Sequence, residues 1–456
     1  MGLKVTMIFP SISRAGFDSF GIGMEESWIS HGLCLVSAYA KSQGHAIDLI
    51  DLRRLKGWKH YEEEIRARKP DVIALTMMSV DFNPALKCIN IAKALDPAIK
   101  IVVGGPHPSI VPEELTAIEA IDHIIKGEGE ISFATLLGQI ERNEPAPRLI
   151  EGEKPLLDEM PFADRELFGS LELPLPVEGF ASPFVTVIAG RGCLYNCSFC
   201  QPAERAIFGK KVRRRSVDNV MAELRELRSR YGFQSMMIHD DCLTEDVGWV
   251  HEFCGKYREE FHLPFACQTR ADIVCKQEEM VRELKDAGLR LFFIGFESGN
   301  QRILNFLRKG TKVEHNYQAA EICRKYGIKI WANYMFGVPT ETKEEVMDTV
   351  RMIRTIKPDH YSPAFFTPHP GSDLFTYCEE HNLSLITDHD GYRRNATECK
   401  IKGIEYDFLF TALNESMGIR IPLLKSSSAV KAMNLLRPFF NRHPRLKSLA
   451  QSILLR

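Results

Sequence analysis

The stretch Gly192-Cys193-Leu194-Tyr195-Asn196-Cys197-Ser198-Phe199-Cys200 decides the fold of this chain. It spaces three cysteines as C-x3-C-x2-C and directly follows the apolar segment 184–189, which predicts a strand. Cysteine thiolates are the usual ligands of 4Fe–4S clusters, and a fully structural cluster normally takes four of them. Three thiolates on one loop therefore predict a cluster whose fourth iron is open to bind a substrate.

Zinc is the alternative metal for this loop. A structural zinc site needs four closed ligands at tetrahedral geometry. The fourth ligand would come from Cys242 or His239, because the sequence holds no second C-x2-C pair. The spacing, the preceding strand and the aromatic Phe199 favour the iron–sulfur interpretation.

With these features the chain resembles the radical S-adenosylmethionine (SAM) superfamily. The resemblance implies that the open iron chelates the amino and carboxylate groups of SAM, and that reductive cleavage of SAM yields a 5′-deoxyadenosyl radical. It implies that Cys193, Cys197 and Cys200 are the catalytic residues and the ligands of the cluster. Tyr195 and Phe199 are implied to bind the cofactor, with Phe199 near the adenine.

The first third of the chain alternates short apolar segments with helical patterns. The predicted strands are 4–9, 46–50, 72–76, 101–103 and 123–125. This alternation predicts a parallel sheet with helices on both faces, in which ligands bind at the carboxyl ends of the strands. Three of these ends carry Thr76 and Ser79, the pair Gly104-Gly105, and Gly127.

Paired glycines after a strand are, taken alone, a common tight turn. Together with the neighbouring segments they make residues 1–142 resemble the Rossmann-like cobalamin-binding domain of one large class of radical enzymes. The resemblance implies that five residues line the groove for the nucleotide tail of cobalamin: Thr76, Ser79, Gly104, Gly105 and Gly127. The Asp-x-His-x-x-Gly motif, whose histidine ligates cobalt in many such domains, is absent. The lower cobalt ligand is therefore expected not to be a histidine of that motif, and a domain that has lost cobalamin is the alternative.

Seven prolines between positions 145 and 183 break the pattern and predict a linker over residues 143–182. The alternation resumes over residues 183–373, with strands expected at 184–189, 235–239, 264–269, 290–295, 328–335 and 360–366. Six such units predict a partial (β/α)6 TIM-type barrel, whose active groups stand at the carboxyl ends of its strands. The expected fold class is thus α/β, with a Rossmann-like cobalamin-binding domain, a radical SAM barrel and a small, mainly helical region at 374–456.

Polar residues and glycines follow the expected barrel strands, although each taken alone is an ordinary capping or loop residue. SAM needs a guanidinium for its carboxylate, and carboxylates for its ammonium and hydroxyl groups. The resemblance implies Arg270 for the carboxylate of SAM, and Glu297 and Asp240 for its amino or hydroxyl groups. The remaining cofactor-binding candidates are Asn333 on the fifth barrel strand and, at the adenine edge, Gly337 and Val338.

The end of the chain is basic, since eight lysines and arginines but no acidic residue follow Ser416. A basic amphipathic segment can lie on an anionic membrane surface, so peripheral membrane contact is one expectation. A helical cap that packs on the barrel is the alternative, and the favoured one.

The overall composition is that of an ordinary globular protein, with a formal net charge of -2 and 45% hydrophobic residues. The sequence shows no signal peptide and no apolar stretch of membrane-spanning length, so a cytoplasmic protein without nucleic-acid partners is expected. In that compartment the 12 cysteines are expected as thiols or cluster ligands rather than as disulfides.

The expected function is that of a cobalamin-dependent radical SAM methyltransferase, which uses SAM, a 4Fe–4S cluster and cobalamin. It would methylate an unactivated carbon or phosphorus of a small molecule, lipid or peptide, with flavodoxin or ferredoxin as the electron donor. A cobalamin-dependent radical cyclase or rearrangement enzyme and a non-catalytic cobalamin sensor are the alternatives. A radical methylthiotransferase is disfavoured because that class keeps a second cluster on three N-terminal cysteines, whereas residues 1–150 hold only Cys34 and Cys88.

Overall fold

The apolar segments of the first third of the chain form a parallel sheet. The structure is a computed structural model that describes residues 3–11, 28–169, 174–200, 204–393 and 399–419. The sheet has the strand order β2-β1-β3-β4-β5-β6, in which every described pair of neighbours is parallel. Its strands are β1 Lys4–Phe9, β2 Ala46–Asp51, β3 Val72–Thr76, β4 Lys100–Gly104, β5 His123–Lys126 and β6 Leu149–Glu151. The five strands predicted here are confirmed.

Strand β6 lies inside the segment 143–182 that was predicted as a linker, and the bounds of the linker stay a prediction. The strand is three residues long and is flanked by Pro147 and Pro155, so it is too short to show a period in the sequence. Backbone hydrogen bonds to β5 define it: the Ile124 N–H donates to the Arg148 carbonyl at 2.6 Å, and the Gly152 N–H donates to the Lys126 carbonyl at 2.7 Å.

Helices cover both faces of this sheet, as expected for a parallel sheet. On one face, Tyr61, Ile65 and Ile89 of α2 and α3 pack on buried strand residues, and on the other face Leu33 and Phe133 of α1 and α6 do so. The helices of this part are α1 His31–Ser42, α2 Trp58–Arg68, α3 Phe82–Leu95, α4 Pro106–Ile110, α5 Pro112–Thr116 and α6 Glu130–Glu141.

All six strands predicted for the second half of the chain are present. β7 Phe184–Val187 pairs in parallel with β10 Ser235–Ile238, and the short antiparallel pair β8 Gly190–Arg191 and β9 Arg213–Arg214 lies between them in the sequence. β11 Phe265–Thr269, β12 Leu289–Glu297, β13 Lys329–Phe336 and β14 His360–Phe365 pair in parallel, each with the next. The helices here are α7 Val217–Tyr231, α8 Val247–Glu260, α9 Ala271–Lys276, α10 Glu278–Ala287, α11 Gln301–Phe306, α12 Val313–Lys325 and α13 Lys343–Ile356.

The chain divides into two compact units, residues 1–194 with 201–240 and residues 195–200 with 241–456. The first unit combines the N-terminal sheet with β7 and β10, and the second holds β11 to β14. These units do not follow the predicted domain boundaries at 142, 182 and 373, which stay a prediction.

The described part of the C-terminal region is mainly helical, as predicted, with α14 Asp373–Glu380 and α15 Tyr406–Ser416. Phe410 of α15 packs edge-on against Phe365 at 4.9 Å between ring centroids, and the hydroxyl groups of Tyr334 and Ser416 are hydrogen-bonded at 2.7 Å. The basic segment 420–456, to which the membrane-surface expectation applies, lies outside the described residues. Among the described residues, no helix combines the length and apolar character needed to cross a bilayer.

Most cysteines outside the motif are buried, as expected for small apolar residues. Every described cysteine is a free thiol; Cys275 is half-buried and Cys399 is exposed.

The start of α13 provides a test of the fold. The Thr342 hydroxyl accepts from the Glu345 N–H at 3.3 Å, and the Glu345 carboxylate accepts from the Thr342 N–H at 2.8 Å. We expect Thr342→Ala to lower the free energy of unfolding by about 1 kcal/mol, because it leaves an N-terminal N–H of the helix without its acceptor. Thr355→Ala, at an exposed position near the end of the same helix, is the control and is expected to change stability by less than about 0.5 kcal/mol. Equal effects of the two changes in urea unfolding would contradict the capping role.

Candidate active site

The residues predicted to hold cobalamin lie together. Thr76 ends β3, Gly104 ends β4 and Gly127 follows β5, and these are neighbouring strands of the sheet. In sheets of the order 2-1-3-4-5, ligands bind beyond the carboxyl ends of the strands, near the point where the strand order reverses. The topology therefore agrees with the predicted position of the groove.

Two positions at these strand ends require glycine. Gly105 has φ +101° and Gly127 has φ +93°, a region that other residues rarely adopt. A side chain at Gly105 would also collide, because its Cβ would lie 2.6 Å from the Thr76 Oγ1 atom. The place of a side chain at Gly105 is thus taken by the protein itself, and the predicted contact of these glycines with the nucleotide tail of cobalamin stays a prediction.

Hydroxyl groups connect the loops around the groove. The Ser109 hydroxyl donates to the Gly105 carbonyl at 2.7 Å and accepts from the Gly127 N–H at 2.9 Å. Ser79, a predicted groove residue, is hydrogen-bonded to His107 Nδ1 at 3.0 Å. Sequence reasoning missed Ser109, because a serine in a five-residue helix carries no periodic signal.

The cysteine loop is anchored through Ser198. The Ser198 N–H donates to the Leu307 carbonyl at 2.9 Å, its hydroxyl donates to the Phe306 carbonyl at 2.9 Å, and its carbonyl accepts from the Leu374 N–H at 2.9 Å. Phe199 packs against the apolar cluster that includes Ile303 and Val338. These contacts fix the second half of the loop on α11 and α14.

The thiols of the loop fit a 4Fe–4S cluster. Cys193 and Cys197 are half-buried, Cys200 is exposed, and none of them is in a disulfide. Of the two residues considered as a fourth zinc ligand, His239 contacts Trp28 with ring centroids 5.5 Å apart and ring planes tilted by 54°, and Cys242 is buried. The donor set of three thiols therefore agrees with a cluster that leaves one iron open.

Arg270 places a positive charge beside the loop. Its guanidinium lies 3.6 Å from the centroid of the Tyr195 ring and 3.9 Å from the Cys197 Sγ atom. It also donates to Asp272 at 3.1 Å and to the Lys309 carbonyl. Burial alone would lower the pKa of Arg270, but Asp272 and Cys197 overcome this effect and raise it. Arg270 is thus a permanent cation, and its predicted role toward the carboxylate of SAM stays a prediction.

A second buried cation, Lys309, was not predicted. Its Nζ atom lies 2.8 Å from the Glu297 carboxylate, and both residues are buried. Burial would lower the pKa of Lys309, but Glu297 and Cys197 raise it. The lysine stands in the run Arg308-Lys309-Gly310-Thr311-Lys312, which looks like a solvated loop in the sequence. Glu297, predicted to bind SAM, therefore already holds an ion pair in this structure.

Gly295 makes room for this pair. A Cβ atom at Gly295 would lie 2.4 Å from the Glu297 Oε1 atom and 2.7 Å from the Lys309 Nζ atom. The missing side chain on β12 thus creates the space in which the two charges meet.

Asp240 has a structural role in the first unit. One of its oxygens accepts from the Ala189 N–H at 2.7 Å, and the other accepts from Arg214 at 2.9 Å. Both oxygens are thereby engaged in holding the end of β7 and the strand β9. The predicted contact of Asp240 with SAM stays a prediction.

The backbone N–H groups after β13, which were predicted to bind the adenine edge, are hydrogen-bonded to a carboxylate of the protein. The N–H groups of Gly337 and Val338 donate to the Glu341 carboxylate at 2.7 and 3.2 Å. Burial raises the pKa of Glu341 to about 7, although these two N–H groups act in the opposite direction. Sequence reasoning missed Glu341 because it stands in the loop before the cap of α13. Asn333, the remaining candidate, is half-buried on β13, opposite Gly295 and Ser362.

Comparison with known proteins finds two domain families in the chain. The model of the radical SAM superfamily matches residues 187–353, and the model of the B12 binding domain matches residues 22–137. The predicted linker lies between the two matched ranges.

Relatives and a solved structure match most of the chain. An uncharacterized methyltransferase of Pyrococcus horikoshii is 27% identical over 397 residues, which cover 81% of this chain and 83% of the relative. The anaerobic magnesium-protoporphyrin IX monomethyl ester cyclase of Rubrivivax gelatinosus is 24% identical over 82% of this chain and 69% of its own length. The radical SAM methyltransferase TsrM of Kitasatospora setae, solved with cobalamin and a 4Fe–4S cluster bound, has a TM-score of 0.66 at 17% identity and covers 84% of this chain and 78% of its own.

The chain therefore carries a B12-binding domain followed by a radical SAM domain. The expected fold class, a Rossmann-like domain followed by a partial radical SAM barrel, is confirmed. Its cofactors are those of the two families: a 4Fe–4S cluster with SAM, and cobalamin.

The buried pair of Lys309 and Glu297 provides a test of the site. We expect Lys309→Met to lower the free energy of unfolding by about 3–5 kcal/mol, because it leaves Glu297 buried without a partner. The double variant with Glu297→Gln should recover part of this loss. The control is Lys325→Met, which removes the exposed pair with Glu278 and should cost less than about 1 kcal/mol. Equal losses for the two lysine variants in urea unfolding would contradict the importance of the buried pair.

Glu341 predicts a pH dependence. Its pKa is about 7 in the folded protein, above the usual value of 4.5, so folding favours the protonated carboxyl. The stabilisation is complete below pH 4.5 and is lost as the pH rises through 7. Relative to Glu341→Gln, which stays neutral, the wild type should therefore lose about 2–3 kcal/mol of unfolding free energy between pH 4.5 and 8. A difference that does not change with pH would contradict the raised pKa.

Proposed function

We propose that this enzyme transfers a methyl group from SAM to an unactivated carbon or phosphorus atom of a small molecule, lipid or peptide. The observation that carries the proposal is the presence, in one chain, of a three-cysteine loop and of glycine-lined strand ends suited to cobalamin. The names of the methyltransferases among the similar proteins support it.

The two cofactor systems divide the chemistry. When bound, SAM at the cluster supplies a radical that removes a hydrogen atom from an unactivated position, and cobalamin supplies the methyl group. Reductive cleavage needs an electron from outside the chain, so a small electron carrier such as flavodoxin or ferredoxin is the expected partner.

The residues of the second unit hold and tune the cluster loop in this proposal. Ser198 fixes the loop through its three hydrogen bonds. Arg270 and Lys309 place two cations near Cys197. Arg270 is further proposed to orient the carboxylate of SAM, since a guanidinium can bind a carboxylate through two parallel hydrogen bonds.

The residues of the groove hold the strand ends at which cobalamin is proposed to bind. Gly105 and Gly127 adopt positive φ angles, Gly105 packs closely on Thr76, and Ser109 holds their loops together. The protein's contribution is thus to position the two cofactors and to exclude competing reactions.

A label experiment tests the proposal without knowledge of the substrate. Anaerobically reconstituted enzyme is given cobalamin, reductant and SAM that carries a labelled methyl group. A methyltransferase is expected to place label in the corrinoid fraction and to form S-adenosylhomocysteine. Formation of 5′-deoxyadenosine with neither of these products would contradict methyl transfer and would favour a cyclase or a rearrangement enzyme.

Cysteine variants control this experiment. We expect Cys197→Ala to lose the bound iron and the formation of 5′-deoxyadenosine, because only two thiolates remain on the loop. Cys399→Ala removes an exposed thiol elsewhere and is expected to leave both unchanged. Retained cleavage of SAM by Cys197→Ala would show that the loop does not hold the cluster.

A further inference from the structure

Two buried carboxylates follow β5, in the segment Gly127-Glu128-Gly129-Glu130. Glu128 and Glu130 are each only 4% exposed. Gly127, a predicted groove residue, directly precedes Glu128. A charged group in such a place is costly unless an opposite charge meets it.

The opposite charges come from the strand pair β8 and β9, which carries the start of the cysteine loop. Arg191 lies 2.5 Å from Glu128 and 2.7 Å from Glu130, and Arg213 also contacts Glu128. Arg191 and Arg213 face each other in the antiparallel pair. The fold thus brings two carboxylates and two guanidiniums together. Arg191 and Arg213 are 63 and 85 positions from Glu128 in the sequence.

The segment that follows β6 contacts both Arg213 and Glu128. Arg213 donates to the Pro155 carbonyl at 3.0 Å. A Cβ atom at Gly152 would lie 2.1 Å from the Glu128 carbonyl oxygen, so the backbone after β6 packs directly on this segment. Because buried charges with several partners have few alternative arrangements, a shift of Arg191 has to be followed by Glu128.

We propose that Glu128 and Glu130 are positioning residues that fix the Cys193 end of the cluster loop to the Gly127 end of the cobalamin groove. Arg191 is two residues from Cys193, and Glu128 is next to Gly127. Ordering of the cysteine loop by the cluster therefore orders the groove, and ordering of the groove by cobalamin orders the loop. The two cofactors bind cooperatively through this network. This inference rests on the binding of both cofactors but not on the reaction they perform.

Cooperative binding has a measurable form, because coupling between two sites is reciprocal. We expect the dissociation constant of hydroxocobalamin to be lower in the cluster-loaded protein than in protein from which iron has been removed by chelation. Couplings of this kind are typically about 5-fold to 150-fold. In Glu128→Gln the ratio of the two dissociation constants should fall to about 1, because the neutral amide no longer holds the two arginines.

The matched control is Glu144→Gln. Glu144 is paired with Arg142 just after the end of α6, the helix that begins at Glu130, but the Glu144 side chain is 47% exposed. This variant should keep the wild-type ratio. Glu130→Gln removes only the ion pair between Glu130 and Arg191, so its ratio of dissociation constants should lie between 1 and the ratio of the wild type. It serves as the second variant if Glu128→Gln does not fold.

The inference is overturned if the two dissociation constants of the wild type are equal. It is also overturned if Glu128→Gln keeps the ratio measured for the wild type. If Glu128→Gln does not fold, the same ratio in Glu130→Gln overturns it. A lower unfolding temperature of the variants with an unchanged ratio would indicate a merely structural network, and it would equally overturn the inference. Failure of the label experiment would contradict methyl transfer while leaving this binding ratio as it is, so the two proposals fail separately.

Discussion

The pairing of buried charges is the interaction on which the two cofactor regions depend. In the first unit, Glu128 meets Arg191 and Asp240 meets Arg214, and in the second unit Glu297 meets Lys309. Each charge would be too costly to bury alone, so each pair exists only in the folded arrangement. Because the contacts are short and directional, they fix the loop residues Glu128, Asp240 and Lys309 to the strands β8, β9 and β12.

The same interaction gives some candidate residues partners within the protein, while their predicted roles toward SAM stay predictions. A carboxylate at a strand end is a reasonable partner for a zwitterionic cofactor, but it is also the natural partner of a nearby buried cation. The Asp240 carboxylate accepts hydrogen bonds from Ala189 and Arg214. The Glu341 carboxylate accepts hydrogen bonds from the N–H groups of Gly337 and Val338. The polar groups of these strand ends therefore serve first to stabilise the ends themselves.

Much of the fold could be predicted from the sequence because its signals are local. A buried parallel strand is a short apolar run, and all eleven predicted strands are present at nearly the predicted positions. The cysteine spacing and the glycines after β4 and β5 are local patterns as well. Strand β6 could not be found in this way, because three residues between prolines show no period. The partners of buried charges could not be found either, since Lys309 is 12 positions from Glu297 and Arg191 is 63 positions from Glu128.

Gly295 shows how such a pair restricts the sequences that this fold can accept. The glycine needs no unusual backbone angle, so its requirement comes from volume alone. Any larger residue at position 295 would require the charged ends of Glu297 and Lys309 to shift together. The residue at position 295 is therefore coupled to an ion pair whose members lie 12 positions apart in the sequence.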